Sequence, residues 1–397
     1  MQMTRETRNV GLLSVCQALG QTQMVLIFSV SSIIGASIAP NVGWATVPIT
    51  FQFVFMTLST IPAAFLMKRI GRANGFTVFL IIGCAGAGLM IYALLVKSFL
   101  LFCVGSALFG ASAGANQQFR FAAVDAASDE FRSKAVSLVL AGGVFAAITG
   151  PTLSSWGYDM IRPIVYGGVF AIILSMQFIM MVLLRFTDIP PPSEQERTGH
   201  VRPMREIAAQ PAFIVALMSA MIGYGVMNFV MLSTPIFMHL HPTHPFGQLD
   251  INNVIMWHVL GMFAPGFFTG WLIKKFGDIN IILAGAVISV VCLAVNLSGD
   301  SLLHLRVGMA LVGLGWNFMF TAGTTLLLST YTPAEKAKVQ GVNDFFVFGT
   351  VATCSLLAGV VYSEFGFIAV NLASAPLLVT VVCAVFWLRM KRQPVAA

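Results

Sequence analysis

Charge is what this chain has least of. Of its 397 residues only 9% are Asp, Glu, Lys or Arg, against roughly 25% in a soluble domain. That scarcity excludes a soluble enzyme, a disordered chain and a nucleic-acid binder. Cysteine is sparse as well. Cys16, Cys84, Cys103, Cys292, Cys354 and Cys383 all lie in apolar runs, and none forms a CxxC or CxH pattern. A disulfide framework or zinc site is therefore not expected. No Walker A sequence is present, so ATP-driven transport by this chain alone is not expected; no cofactor is expected either. The polar start, Met1 to Asn9, leads into an apolar run too long for a signal-peptide core.

What the chain has in abundance is apolar sequence, 57% of it. A helix crossing a bilayer needs about 20 such residues, so twelve would use about 240 and leave only short loops. The runs fall at 10–35, 44–67, 75–96, 99–121, 135–156 and 163–186, then at 211–236, 251–273, 279–297, 305–328, 339–361 and 367–388. They are apolar all round, as bilayer helices must be, and lack the alternation of a membrane barrel. Between the sixes lies a polar stretch, Thr187 to Gln210, opening on Pro190-Pro191-Pro192. The expected fold is an all-α membrane protein of twelve transmembrane helices in two pseudo-symmetric halves, 1–186 and 211–397, joined by a linker, 187–210.

The few charges are arranged. With the N-terminus in the cytoplasm, 18 of the 22 Lys and Arg fall on the cytoplasmic side, which is the positive-inside bias. Lys97, Arg162 and Arg306 fall opposite, and Arg120 sits near a helix end. The net charge of +7 is thus a topology signal, and both termini are expected in the cytoplasm. The halves also repeat. Ala64-Phe-Leu-Met-Lys68-Arg69-Ile-Gly71-Arg72 closes the second span, and Gly270-Trp-Leu-Ile-Lys274-Lys275-Phe-Gly277-Asp278 closes the eighth. Homologous six-helix halves are a transporter architecture.

This loop resembles that of the major facilitator superfamily, whose pattern is Gly-x-x-x-Asp-Arg-x-Gly-Arg-Arg. Arg69, Gly71 and Arg72 match; Ala64, Lys68 and Ala73 depart from it. The resemblance covers the whole chain and implies a monomeric secondary transporter in a bacterial inner membrane. Gly150-Pro151-Thr152-Leu153-Ser154-Ser155 keeps half of the Gly-Pro-x-x-Gly-Gly of drug antiporters, while Ser106 stands where those often carry Arg. Gly315-Trp316-Asn317-Phe318 and Asn343-Asp344-Phe345 resemble a bacterial subfamily of mostly unassigned transporters that includes proposed riboflavin importers.

At about 1.5 Å per residue, Gln21, Tyr224, Trp316 and Asn317 fall near the midplane. In the family fold the first, fourth, seventh and tenth helices line the central cavity. Gln17, Gln21, Tyr224, Asn228, Trp316, Asn317 and Thr321 are the candidate lining, because polar groups at this depth face a bundle interior or a cavity. Interhelical hydrogen bonding without a substrate is the alternative. Such a lining suits a planar, polar, weakly charged solute better than a sugar phosphate, which would want midplane Arg or Lys.

A second group lies nearer the cytoplasm: Asn116, Arg120, Asp125 and Asp344. An Asp inside a span is a functional candidate, and proton-dependent pairing of Arg120 with Asp344 across the halves is one expected coupling device. By resemblance, Lys68, Arg69, Gly71 and Arg72 form a cytoplasmic latch, with Asp125 as partner, and Lys274, Lys275 and Gly277 its twin. Gly71 and Gly277 suggest tight turns that need positive φ. Pro151 and Pro265 are candidate helix kinks. His239, His241 and His244 sit in a Pro-containing loop expected to be solvated rather than metal-binding, and His258 is expected to pack against a neighbouring helix. Three readings remain: uptake of a riboflavin-like vitamin, proton-coupled efflux of drugs or metabolites, and a membrane receptor or assembly protein that does not transport. A membrane enzyme would need acids or His clustered at one depth, which the sequence does not offer.

Overall fold

The computed structural model describes residues 5–119, 122, 126, 129–188, 202–241 and 243–392. Of these, 64, 68, 129–141, 333, 336–337 and 392 are described by their backbone alone. All regular structure among the described residues is helical. We number the helices α1 (Arg5–Ile38), α2 (Val47–Ile70), α3 (Arg72–Leu95), α4 (Phe99–Asn116), α5 (Asp129–Gly157) and α6 (Gly167–Leu184) in the first half. The second half has α7 (Pro211–His239), α8 in two segments (Gln248–Phe263 and Gly266–Phe276), α9 (Asp278–Ser298) and α10 (Leu302–Leu328). One stretch, Lys336–Arg392, then holds α11 and α12, separated by Gly366 at φ +76°.

By length and hydropathy, ten stretches of the described residues qualify as membrane spans. The last of them, Lys338–Lys391, contains both α11 and α12; counting these separately and adding α5 gives twelve. A short helix, Met204–Ala208, lies in the segment between the halves.

The repeat is visible in the backbone. Gly71 and Gly277 each end one helix and begin the next, at φ +87° and +84°. A side chain at either position would meet nothing within 4 Å. The backbone conformation, not crowding, is what asks for glycine there. Crowding rules elsewhere. A Cβ on Gly110 or Gly114 would lie 2.2 Å from the Gln52 carbonyl oxygen or 2.3 Å from that of Met56. The small-residue run of α4 therefore lets it lie directly on α2, where dispersion contacts substitute for a hydrophobic driving force that lipid does not supply.

The two prolines behave differently. Pro151 sits within a continuous α5. Pro265 coincides with the break in α8, since it lacks the N–H that would continue the ladder. The end of the bundle carrying both termini is called the terminal end below, and the opposite one the hairpin end. Among the described residues, the hydrogen bonds seen to cross between the halves lie at the hairpin end. Thr50 Oγ1 donates to Ser355 Oγ at 3.0 Å, and the Gly359 N–H donates to Thr46 Oγ1 at 3.3 Å. On the other flank Tyr166 Oη donates to Gln248 Oε1 at 2.8 Å, and Asn252 Nδ2 donates to Ser155 Oγ at 2.7 Å. At the terminal end, Arg5 and Asn9 bind Asp188, and Arg202 binds Glu335. Each of those contacts stays within one half and the adjoining linker segment.

Candidate functional site

The second half presents a box of aromatic rings. Trp316 and Phe320, one turn apart on α10, stack with centroids 5.1 Å apart. Tyr224 of α7 meets Trp316 edge-on at 5.2 Å, Phe320 at 5.7 Å and the Phe348 ring of α11 at 6.0 Å. Phe263 of α8 closes one side at 6.3 Å from Trp316. Such edge-to-face geometry is what the ring quadrupoles favour. Tyr224, Phe263, Phe320 and Phe348 are half-buried, whereas Trp316 is 8% exposed. A Cβ on Gly143 of α5 would lie 2.6 Å from the Phe263 ring, so the box borders the seam with the first half. The Trp316 indole nitrogen is buried and has no hydrogen-bond partner among the described residues.

The first half contributes amides. Gln17 and Gln21 of α1 share a narrow cleft with Gly20, Met24, Phe109, Ala113, Asn116 and Gln117. Its volume, about 10 Å³, admits roughly one water. Gln17 Oε1 and Asn116 Oδ1 are buried there without a donor among the described residues. Asn116, grouped by sequence with the cytoplasmic cluster, thus sits with the two glutamines.

Two of the candidate cavity residues are already engaged in packing. Asn228 is fully buried and donates through Nδ2 to the Val351 carbonyl of α11 at 3.2 Å. Asn317 donates through Nδ2 to the Met262 carbonyl at 2.7 Å and accepts from Thr269 Oγ1 at 2.7 Å. These contacts fall on either side of Pro265. Asn317 therefore supplies the donor that the broken ladder of α8 denies to Met262. Thr321 is half-buried on the same helix, and Thr324 is exposed.

At the terminal end, Asp344 is half-buried and accepts from Asn343 Nδ2 at 3.2 Å. Because α11 starts at Lys336, Asp344 lies in its third turn, deeper than a start at 339 implied. Arg120 and Asp125 lie outside the described residues, as does the side chain of Lys68. Arg69 is exposed and Arg72 half-buried. Lys274 and Lys275 are exposed, and the Lys275 ammonium rests over the rings of Trp271 at 4.9 Å and Phe276 at 5.2 Å.

In the histidine loop His239 and His244 are exposed, as expected, and His241 is the exception. His241 is not solvated but 5% exposed, packed edge-on against Phe237 and Phe246. Its Nε2 lies 3.3 Å from Asp300 of the α9–α10 loop, and its Nδ1 accepts the His244 N–H at 3.1 Å. Among the described residues no three His, Cys, Asp or Glu converge as metal ligands. His258 is buried against α10, with Nδ1 3.0 Å from the Met309 carbonyl oxygen.

One polar knot was not anticipated. Glu335, in the α10–α11 turn, is fully buried and accepts from Arg202 Nε and Nη2, both at 2.7 Å, from the Arg202 N–H at 3.0 Å and from the Thr332 N–H at 2.9 Å. The paired guanidinium, then the Thr332 amide, hold its carboxyl well below the usual carboxylate range.

Residues 11–243 and 232–397 both match the sequence profile of the Major Facilitator Superfamily. The chain belongs to the major facilitator superfamily. The riboflavin transporter RfnT of Brucella anthropi is 34% identical over 99% of this chain and 98% of its own length. YdeG of Bacillus subtilis, an uncharacterized MFS-type transporter, is 26% identical over 96% of this chain and 92% of its own. Among solved structures, the human organic anion transporter MFSD10 superposes with a TM-score of 0.70 at 14% identity, covering 96% of this chain and 100% of that one. A bacterial homologue of the human lysosomal transporter Spinster, inward-facing and unoccupied, gives a TM-score of 0.70 at 16% identity, covering 98% and 96%. At those identities the superpositions speak to the fold. This superfamily member is a multi-pass membrane transporter for a small-molecule substrate and not an enzyme.

Proposed function

We propose that this protein imports a riboflavin-like vitamin across a bacterial inner membrane by alternating access, the halves 1–186 and 211–397 rocking about a site near the midplane. The observation that carries this reading is the aromatic box of Tyr224, Trp316, Phe320 and Phe348 in the second half, with Gln17, Gln21 and Asn116 in the first. Ring faces bind a planar heterocycle, and neutral amides bind hydroxyls without calling for charge. Similarity over nearly the full length to a protein named as a riboflavin transporter supports the same substrate class. With both termini cytoplasmic, the hairpin end faces outward. Asp344, a carboxylate within α11, is the candidate for gradient coupling, and Arg120 its candidate partner across the halves. The basic turns, Lys68 to Arg72 and Lys274 to Gly277, serve as cytoplasmic latches. The second reading, proton-coupled efflux, draws on Gly150-Pro151 alone.

The test is uptake of labelled riboflavin by a riboflavin-auxotrophic bacterium expressing the chain. Saturable uptake that collapses with a protonophore is expected, together with an altered pH profile in Asp344→Asn. Absence of uptake from correctly inserted protein rejects the vitamin reading and favours efflux. An unchanged pH profile and rate in Asp344→Asn removes that residue from coupling.

A further inference from the structure

The box holds one feature that packing does not account for. Trp316 is a donor and nothing else; its ring has one N–H and no acceptor. That N–H is buried and has no partner among the described residues. Burying a donor without an acceptor is costly, and buried indoles usually find a partner. Phenylalanine would give the same stack on Phe320 and the same edges to Tyr224 and Phe263 without that cost. The neighbouring Asn317 shows the contrast: both ends of its amide are engaged, by Met262 and Thr269. The rings around Trp316 are half-buried while Trp316 itself is covered.

We propose that the Trp316 indole N–H is the specificity-determining donor of this site, reading an acceptor atom, a ring nitrogen or carbonyl oxygen, on a planar N-heterocycle walled by Tyr224, Phe320 and Phe348. This rests on the import reading above. It divides the labour between the halves: the second half reads the ring, and the buried acceptors Gln17 Oε1 and Asn116 Oδ1 of the first take hydroxyl donors of a polar side chain. A hydrocarbon ring would leave the donor unpaired, and that is how such a site rejects it.

Trp316→Phe removes the donor and keeps the ring. Its expected effect is a rise of about tenfold in KM for riboflavin, with maximal rate unchanged, matching the loss of one hydrogen bond. The melting temperature in detergent is expected to hold or rise, since an unpartnered donor leaves the interior. Trp316→Tyr, which keeps a donor on the ring edge, loses less affinity than Trp316→Phe and serves as the second variant. An unchanged KM in Trp316→Phe, with wild type active, overturns the inference and leaves the import reading standing. A fall in melting temperature with unchanged KM assigns the N–H to packing and also overturns it. No riboflavin uptake by wild type removes the import reading and this inference with it.

Discussion

Replacing Asn317 with alanine separates two roles that the sequence could not. If Asn317 is the splint across the α8 break, the change orphans one buried acceptor, the Met262 carbonyl, now held at 2.7 Å. Thr269 loses a partner too, but its hydroxyl also lies 2.8 Å from the Pro265 carbonyl, so it stays satisfied. One unsatisfied carbonyl costs about 1–3 kcal/mol. Interhelical side-chain hydrogen bonds in membranes average about 0.6 and reach about 1.7 kcal/mol. The two ranges overlap at about 1–2 kcal/mol. For a chain of this size that is a fall of roughly 1–3 °C in melting temperature, measurable by thermal unfolding in detergent. KM for riboflavin is expected to stay within about twofold of wild type, since both ends of the amide face protein. Asn317→Asp should be worse than alanine, because it sets a carboxylate oxygen against the Met262 carbonyl. A melting temperature equal to wild type, with KM raised about tenfold, would refute the splint and return Asn317 to the substrate.

Two further outcomes follow from the geometry. In Gly359→Leu the Cβ would lie 2.7 Å from both the Gly43 carbonyl oxygen and Thr46 Oγ1, so the hairpin end should fail to seal; a cysteine at Thr50 should then react faster with a water-soluble maleimide, and equal rates would show that the seam tolerates the side chain. Glu335→Gln should destabilise the α10–α11 turn at neutral pH. Because the native carboxyl titrates below its ordinary value, the advantage of wild type is complete above roughly pH 5 and shrinks as pH falls below about 4, which unfolding scans of both proteins at pH 7 and pH 4 would check.

Much of the fold was legible because hydropathy is a local property. Each span satisfies its own backbone, so a run of apolar residues announces a helix without reference to its partner. The twin glycines were legible for the same reason, since a positive φ is demanded by the turn itself. Partnerships were not. Asn317 looks like a cavity amide until the Met262 carbonyl, beside the break of another helix at Pro265, is seen to accept from it. His241 looks like a loop histidine until Asp300 and two phenylalanines close around it. Thr46, Thr50 and Ser355 are ordinary helical hydroxyls in sequence, and their meeting across the halves is set by how α2 crosses α11. Arg202 and Glu335 are 133 residues apart, and nothing in the local sequence of either points to the other. A Pro within the α8 pattern and an Asn beside a Trp were the signals available, and neither carries its partner's address.

The seam at the hairpin end has a consequence for how membrane voltage acts on this transporter. Thr46, Thr50 and Ser355 on one flank, and Ser155, Tyr166, Gln248 and Asn252 on the other, are all uncharged. A unit charge moved across a bilayer couples to the field by about 2.3 kcal/mol per 100 mV. Parting these hydrogen bonds moves none, and water can replace each at a net difference of about 0.5–1.5 kcal/mol. The seal is therefore blind to voltage and shallow in free energy, so whatever electrical sensitivity transport shows must enter through charges elsewhere or through the substrate itself.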